Sequence, residues 1–177
     1  MLLKKLAYNK QLVLLFLMAI SSTFFSACDN LNPYTEEDLE LGGIFPDADY
    51  DRAVAYHFED LNGRPIIDEE GQLNATVKKE KEMTEEETRD FLQVINNSET
   101  YMTSKSCAQC YFPRFGVVFY RGTAVAAHIS ICLQCGHQKS SIRIGAQGGL
   151  ENGRCYSGPG LQALSKLCKK MGFGQCG

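Results

Sequence analysis

The sequence lacks an apolar run long enough to cross a membrane as a helix. Its longest run, from Leu12 to Ile20, has about nine residues, whereas a transmembrane helix needs roughly 20. Three lysines precede this run and small residues follow it. That order is typical of a secretory signal, so we predict that residues 1–27 are a signal peptide and not part of the fold.

Motifs for nucleotide, nucleic-acid and haem chemistry are also missing. The Gly-rich stretch at 144–160 lacks the Gly-Lys-Ser/Thr ending of a phosphate-binding loop. The segment CLQCGH at 132–137 is one residue too long for the Cys-x-x-Cys-His of haem attachment. No nucleic-acid recognition motif and no internal repeat occurs. We therefore expect one domain that binds neither nucleotide, nucleic acid nor haem.

Acidic residues are scarce in the second half of the chain. Residues 100–177 contain Glu151 alone against nine Lys and Arg, whereas residues 28–99 contain 20 Asp and Glu against six Lys and Arg. A basic surface would attract an anionic glycan or an acidic protein partner. Two halves packed in one domain would instead partly neutralise each other, and we favour this second interpretation.

The end of the signal segment predicts attachment to a lipid. Ser26 and Ala27 precede Cys28 in a pattern that resembles the lipobox of bacterial lipoproteins, where the cysteine is acylated and becomes the new N-terminus. An ordinary signal peptide, with Cys28 as a disulfide partner, is the alternative. Acyl chains such as palmitate would hold the protein at a membrane, for which we favour the outer membrane. Residues 28–51 are acidic, and we interpret them as a flexible tether.

Residues 52–177 predict a single α+β domain. A strand begins at Arg52, and the segment 66–80 predicts two short strands joined near Glu70 and Gly71. Thr84, followed three residues later by Glu87, forms a capping box and predicts a helix over 84–97. Apolar residues at helical spacing predict a second helix over 160–171.

A β-hairpin is the clearest element of the chain. Alternating apolar residues occupy 117–120 and 125–131 on either side of a turn that we centre on Arg121. That register places Cys110 opposite Cys132 and Cys107 opposite Cys135. The fold class is therefore α+β, a small antiparallel sheet with a Cys-bearing β-hairpin and two helices.

The four cysteines at the open end of this hairpin allow three chemistries. Cys107, Cys110, Cys132 and Cys135 offer the four thiolates that a structural zinc ion requires. Disulfides are the rival interpretation, because they form and persist in oxidising compartments outside the inner membrane. Plain thiols are the third.

The other cysteines limit these alternatives. Seven cysteines follow Cys28, so at least one is free or paired between chains, and Cys168 on the apolar face of the last helix is our candidate for a buried free thiol. A redox Cys-x-x-Cys usually opens a helix, and no helical pattern follows either pair. His137 stands near Cys135, but no third group is visible to orient it as a base.

The segments CYFPRFGVVFY at 110–120, HISICLQC at 128–135 and MGFG at 171–174 resemble an uncharacterised family of bacterial, mainly Bacteroidetes, lipoproteins. Its motif is Cys-x-x-Pro-Arg before the first strand and Ile-Cys-x-x-Cys at the end of the second. The resemblance carries no assigned activity. It implies that Cys155 could replace Cys107 as the fourth partner, and it gives weight to the residues that match the motif, which are Cys110, Pro113, Arg114, Cys132 and Cys135.

The expected function is therefore that of a lipid-anchored protein of the cell envelope. We predict a noncatalytic binding or structural module whose cysteine cluster, as disulfides or with zinc, fastens the fold. The alternative is a thiol-based redox or metal-dependent enzyme that uses Cys132 and Cys135. The sequence shows no set of acid, base and nucleophile, and this favours the noncatalytic module. We therefore assign no catalytic residue.

Overall fold

A five-stranded antiparallel sheet with two helices forms the fold in a computed structural model, which describes residues 44–102, 110–148, 154–174 and 176. This confirms the predicted α+β class and the Cys-bearing hairpin. In chain order the elements are β1 Arg52–Phe58, β2 Val77–Glu82, α1 Glu85–Ile95, β3 Phe115–Arg121, β4 Ala124–Cys132, β5 His137–Ser140 and α2 Gly158–Lys170. The strand order across the sheet is β2-β1-β3-β4-β5. Within the described ranges, no helix is long and apolar enough to cross a membrane.

Both helices cover one face of the sheet. Alternate residues of β1, β3 and β4 point into this main core because successive side chains of a strand face opposite sides. The helices contribute buried residues of their own, including Phe91 and Ile95 from α1 and Leu164 from α2. The strand residues on this face that are at most 1% exposed are Ala55, Phe115, Val117, Phe119, Ala127, Ile129 and Ile131.

The opposite face carries a smaller core. Phe58 and Val118 pack there against Ile66, which belongs to the loop between β1 and β2. Gly116 permits this close approach, because a Cβ atom at Gly116 would lie 2.9 Å from Cβ of Ile66. The amide of Ile66 also donates a 2.7 Å hydrogen bond to the Ser130 hydroxyl, so the loop is fixed to β4.

The turn of the hairpin lies further along the chain than we predict from the sequence. Gly122 and Thr123 occupy it, and Gly122 has a φ of +59°, a conformation that glycine adopts readily. The pairing then shifts by one residue near Phe119, so that Phe115 pairs with Ile131. The predicted register centred on Arg121, which placed Cys110 opposite Cys132, is therefore wrong, and the predicted pairing of Cys107 with Cys135 falls on a residue outside the described ones.

Two other segments differ from expectation. The region 66–80 contains one isolated bridge, between Ile67 and Leu73, and one strand, β2, instead of two paired strands. The sequence predicts that residues 44–51 belong to the flexible tether, yet Phe45 is fully buried in the main core. The Asn96 side chain explains this position, because it accepts a 2.8 Å hydrogen bond from the Phe45 amide and donates a 2.7 Å bond to the Phe45 carbonyl.

The N-terminus of α1 has the predicted capping box. The Thr84 hydroxyl accepts a hydrogen bond from the Glu87 amide, and the Glu87 carboxylate accepts one from the Thr84 amide. Glu87 also receives a bond from the ammonium group of Lys81, at 2.5 Å. Helix α1 is thus fastened to β2 at the point where the chain leaves the sheet.

Replacing Thr84 with Ala is expected to lower the free energy of unfolding by about 1 kcal/mol, because the Glu87 amide loses its acceptor. Thr123→Ala is the matched control, since Thr123 is exposed in the hairpin turn. Urea unfolding of both variants checks this. Equal midpoints for the two would contradict the assigned cap.

Candidate functional site: three sulfurs beside the hairpin end

A tight turn joins the two cysteines at the end of β4. Cys132 and Cys135 form a disulfide whose Cα atoms are 5.3 Å apart. The Cys135 amide donates a hydrogen bond to Sγ of Cys132 at 3.2 Å. Gly136 follows with a φ of +65°, and the chain then returns along β4 as β5. The turn, rather than the predicted long-range pairing, therefore brings these cysteines together.

Cys110 adds a third sulfur to this turn. It is the free thiol among the described residues, and its Sγ lies 3.2 Å from Sγ of Cys135. The three cysteines differ in exposure, since Cys110 is exposed while Cys135 is 9% and Cys132 only 1% exposed. The sulfurs thus run in order from the protein surface to its interior.

Tyr111 holds the segment that carries Cys110. Its hydroxyl donates a 3.0 Å hydrogen bond to the carbonyl of Ser130, and its ring meets the His137 ring edge-on at 5.7 Å. The Lys139 ammonium group lies 5.0 Å from the centre of the same ring. On the other side, a Cβ atom at Gly63 would come within 2.7 Å of the Tyr111 carbonyl oxygen. Tyr111, next to Cys110, therefore contacts β4 through its side chain and the β1–β2 loop through its backbone.

Burial shifts the pKa values of Tyr111 and His137 in the directions that favour their neutral forms. Burial lowers the pKa of His137, and the positive charge of Lys139 lowers it further. Burial raises the pKa of the Tyr111 phenol. Within the described residues, Nδ1 of His137 is buried without a hydrogen-bond partner. The side chain of His137 consequently serves here as a neutral aromatic contact for Tyr111.

A groove begins at the cysteine turn and extends along α2. Its volume is about 540 Å³, and Leu133, which lies inside the Cys-x-x-Cys, forms one end. The groove has an apolar floor with two exposed lysines on its rim. Its lining residues are Leu133, Leu161, Gln162, Ser165, Lys166, Lys169 and Cys176.

The structure brings together three of the four cysteines predicted to form the cluster. Cys110, Cys132 and Cys135 are neighbours, although Cys110 contacts Cys135 and not Cys132. Cys107 and the lipidation candidate Cys28 lie outside the described residues.

Three further cysteines, Cys155, Cys168 and Cys176, also form disulfides. Cys155, to which the resemblance gave weight, is buried and disulfide-bonded. Cys168 is not the predicted free thiol, because it forms a disulfide with Cys176. Its apolar setting was predicted correctly, since Cys168 is fully buried in the main core.

Zinc does not fit the cysteines in this oxidised form. Ligands for structural zinc are thiolates, and the sulfurs of Cys132 and Cys135 are bonded to each other. No group of three or more Cys, His, Asp or Glu side chains in the described part of the chain is arranged to hold a metal ion. A zinc site at Cys107, Cys110, Cys132 and Cys135 would require prior reduction of the disulfide and stays a prediction.

Sequence reasoning missed a buried polar network behind the turn. Gln138 on β5 is 1% exposed, donates to the Gln147 side chain at 2.8 Å and accepts a hydrogen bond from the Tyr156 hydroxyl. The Tyr156 amide donates to the Gly136 carbonyl at 2.9 Å. Strand β5, with the sequence HQKS, has no apolar residue that could have signalled its burial.

Comparisons with known proteins add no constraint on this site. No family model matches the chain, and no curated protein or solved structure matches it either. The resemblance to the Bacteroidetes lipoprotein family therefore stays a prediction. Function has to be inferred from the chemistry of the chain itself.

Proposed function

We propose that this chain is a lipid-anchored protein of the cell envelope and that its folded part is a noncatalytic binding or structural module crosslinked by disulfides. The observation that carries the proposal is the Cys168–Cys176 disulfide inside the main core. Disulfides persist in oxidising compartments, which agrees with export directed by residues 1–27. Acylation of Cys28 would then retain the exported protein at a membrane, for which we favour the outer membrane.

Replacing Cys28 with Ala is expected to release the protein from the membrane fraction and to abolish incorporation of a fatty-acid probe. Acyl chains supply the binding energy, at roughly 0.8 kcal/mol per buried CH₂ group. Fractionation and labelling of cells that produce each form are the measurements. Cys110→Ser is the matched control and should remain anchored and labelled.

Unchanged labelling of the Cys28→Ala variant would contradict the anchor. Density-gradient separation of the wild-type membranes then tests the second part of the proposal. We expect the protein in the outer-membrane fraction, and recovery with the inner membrane would contradict this location.

A thiol-based redox protein is the second candidate. The specific observation in its favour is the free thiol of Cys110, 3.2 Å from a sulfur of the Cys132–Cys135 disulfide. Thiol–disulfide exchange requires a thiol that can reach a disulfide sulfur. The thiol of Cys110 satisfies this requirement through its contact with Cys135. Reactivity of this disulfide toward added dithiols, measured by alkylation and mass spectrometry, separates the second candidate from a purely structural role.

A further inference from the structure

We propose that Cys110 is the sulfur through which the shielded Cys132–Cys135 disulfide exchanges with a dithiol in an acidic protein segment. This inference rests on the second candidate function and deepens it, because it names the residue that meets the substrate and the class of that substrate. It concerns neither the lipid anchor nor the Cys168–Cys176 disulfide.

Access decides which sulfur reacts with a substrate. Cys132 is 1% exposed and Cys135 is 9% exposed, so an external thiol cannot readily approach either sulfur. Cys110 is exposed and in contact with Cys135. Exchange rates depend on access to the attacked sulfur, so the route through Cys110 is the faster one.

The first step is an exchange within the protein. The Cys110 thiolate attacks Sγ of Cys135, a Cys110–Cys135 bond forms, and the Cys132–Cys135 bond breaks. The electron pair leaves on Cys132, which takes up the proton that Cys110 lost. The hydrogen bond from the Cys135 amide to Sγ of Cys132 stabilises this leaving thiolate, because bonds to charged acceptors are the stronger ones.

The second step transfers the disulfide to the substrate. A substrate thiolate attacks Cys110, and Cys135 leaves as a thiolate. The second substrate thiolate then attacks the substrate sulfur of this mixed disulfide, and Cys110 leaves. Two electrons pass from the substrate dithiol to the protein, which ends with Cys132 and Cys135 reduced.

The groove beside the turn indicates the substrate class. Leu133, between the two disulfide cysteines, and Leu161 offer apolar contacts, while Lys166 and Lys169 on the rim are positive. Phe112, two residues from Cys110, is 44% exposed and adds an apolar surface. A segment that contains cysteines and acidic residues complements this combination of apolar floor and positive rim.

A trapping experiment tests the contact between Cys110 and Cys135. In full-length Cys132→Ser protein, oxidation is expected to yield a Cys110–Cys135 disulfide, detected by peptide mapping under non-reducing conditions. Cys132→Ser combined with Cys110→Ser is the control and should show an alkylatable Cys135. Two free thiols in the single variant would overturn the proposal.

A kinetic experiment tests the route and does not depend on a buried substitution. The probe is a synthetic peptide with two cysteines flanked by glutamates, and the measured quantity is the rate at which full-length protein loses the Cys132–Cys135 disulfide. Cys110→Ser should slow this loss by at least about tenfold, because the substrate thiolate must then attack Cys132 or Cys135, which are 1% and 9% exposed, instead of the exposed Cys110. The exposed position of Cys110 makes the variant compatible with folding, which an unchanged melting temperature confirms.

The outcomes distinguish this inference from the function on which it rests. If Cys110→Ser reacts as fast as wild type, the inference is wrong while a redox role of Cys132 and Cys135 stands. If the wild-type disulfide does not react at all, both are wrong. Stoichiometric zinc in the purified wild type that Cys110→Ser loses would also overturn the exchange route.

The substrate class has its own comparison. The glutamate-flanked peptide should react faster than a lysine-flanked peptide of the same length, and Lys166→Ala combined with Lys169→Ala should reduce that difference. High salt should also reduce the difference in rate between the two peptides, since it screens exposed charges. Equal rates for the two peptides with wild type would overturn the acidic-segment part of the proposal.

Discussion

Gly160→Ala is expected to destabilise the protein by about 3 kcal/mol, at the upper end of the usual cost of inserting an atom into a packed site. A Cβ atom at Gly160 would lie 2.3 Å from the carbonyl oxygen of Thr100 and 2.9 Å from its Cγ2. The Thr100 carbonyl has little freedom to move, because it accepts a 2.8 Å hydrogen bond from the Ser157 amide. The Thr100 hydroxyl is also engaged, with the Val94 carbonyl at 2.6 Å. Relief of the clash therefore requires α2 to shift.

Gly158→Ala provides the matched control in the same first turn of α2. No atom lies within 4 Å of a Cβ built at Gly158, so the space is open. Alanine there restricts the unfolded chain and should leave stability unchanged or raise it by roughly 0.5 kcal/mol. Thermal and urea unfolding of both variants provide the measurement. Equal loss of stability in the two would contradict the assigned contact between Gly160 and Thr100.

The second large effect is expected from the disulfide at the C-terminus. Cys168 and Cys176 are eight residues apart, both are buried, and both belong to the main core. Replacing both with Ala should lower the free energy of unfolding by about 2.5 kcal/mol in the chain-entropy model, because the unfolded chain regains the freedom of that loop. For a domain of this size, the melting temperature should fall by roughly 8 °C.

Cys110→Ser is the control for this experiment as well. It also removes a cysteine, but at an exposed position outside any disulfide, so its melting temperature should match that of the wild type. Differential scanning calorimetry on the three proteins would provide the comparison. A Cys168→Ala, Cys176→Ala protein that melts with the wild type would show that the C-terminal residues are held by packing alone.

Local signals in the sequence explain which elements could be predicted. Thr84 and Glu87 identify the start of α1 because both capping bonds form within one turn of the helix. Apolar residues at helical spacing likewise identify α2, although its N-cap, Ser157, lies within the stretch that the sequence presents only as Gly-rich. The hairpin strands were predictable from alternation, since residues of β3 and β4 face the main core at every second position.

The register of the hairpin shows where such reasoning stops. Alternation repeats every two residues, so it identifies the buried face but not which residue lies opposite which. Turn geometry at Gly122 and the shift in pairing near Phe119 decide that question. The predicted neighbour of Cys110 is Cys132, whereas the observed neighbour is Cys135. The contact between Cys110 and Cys135 is the basis of the proposed exchange route.

The disulfide partner of Cys168 also depends on tertiary structure and not on local spacing in the sequence. Helical spacing places Cys168 on the apolar face of α2 and therefore in the core, which the structure confirms. Its disulfide with Cys176 depends on a reversal of the chain after the helix, where Gly172 has a φ of +86°. An odd number of cysteines required an unpaired one, but only their positions in space identify Cys110 as the free thiol of the described residues.

The sequence by itself determined the α+β class, both helices and the strands of the hairpin, because each depends on residues close together in the chain. It left disulfides, a zinc site and plain thiols open for the cysteines, and disulfides are the alternative that an oxidising compartment would favour. Tertiary structure alone decided which sulfurs meet and which of them solvent reaches. Sulfur contacts depend on the turn after β4 and on the position of Tyr111 between Ser130 and His137, and neither follows from local spacing.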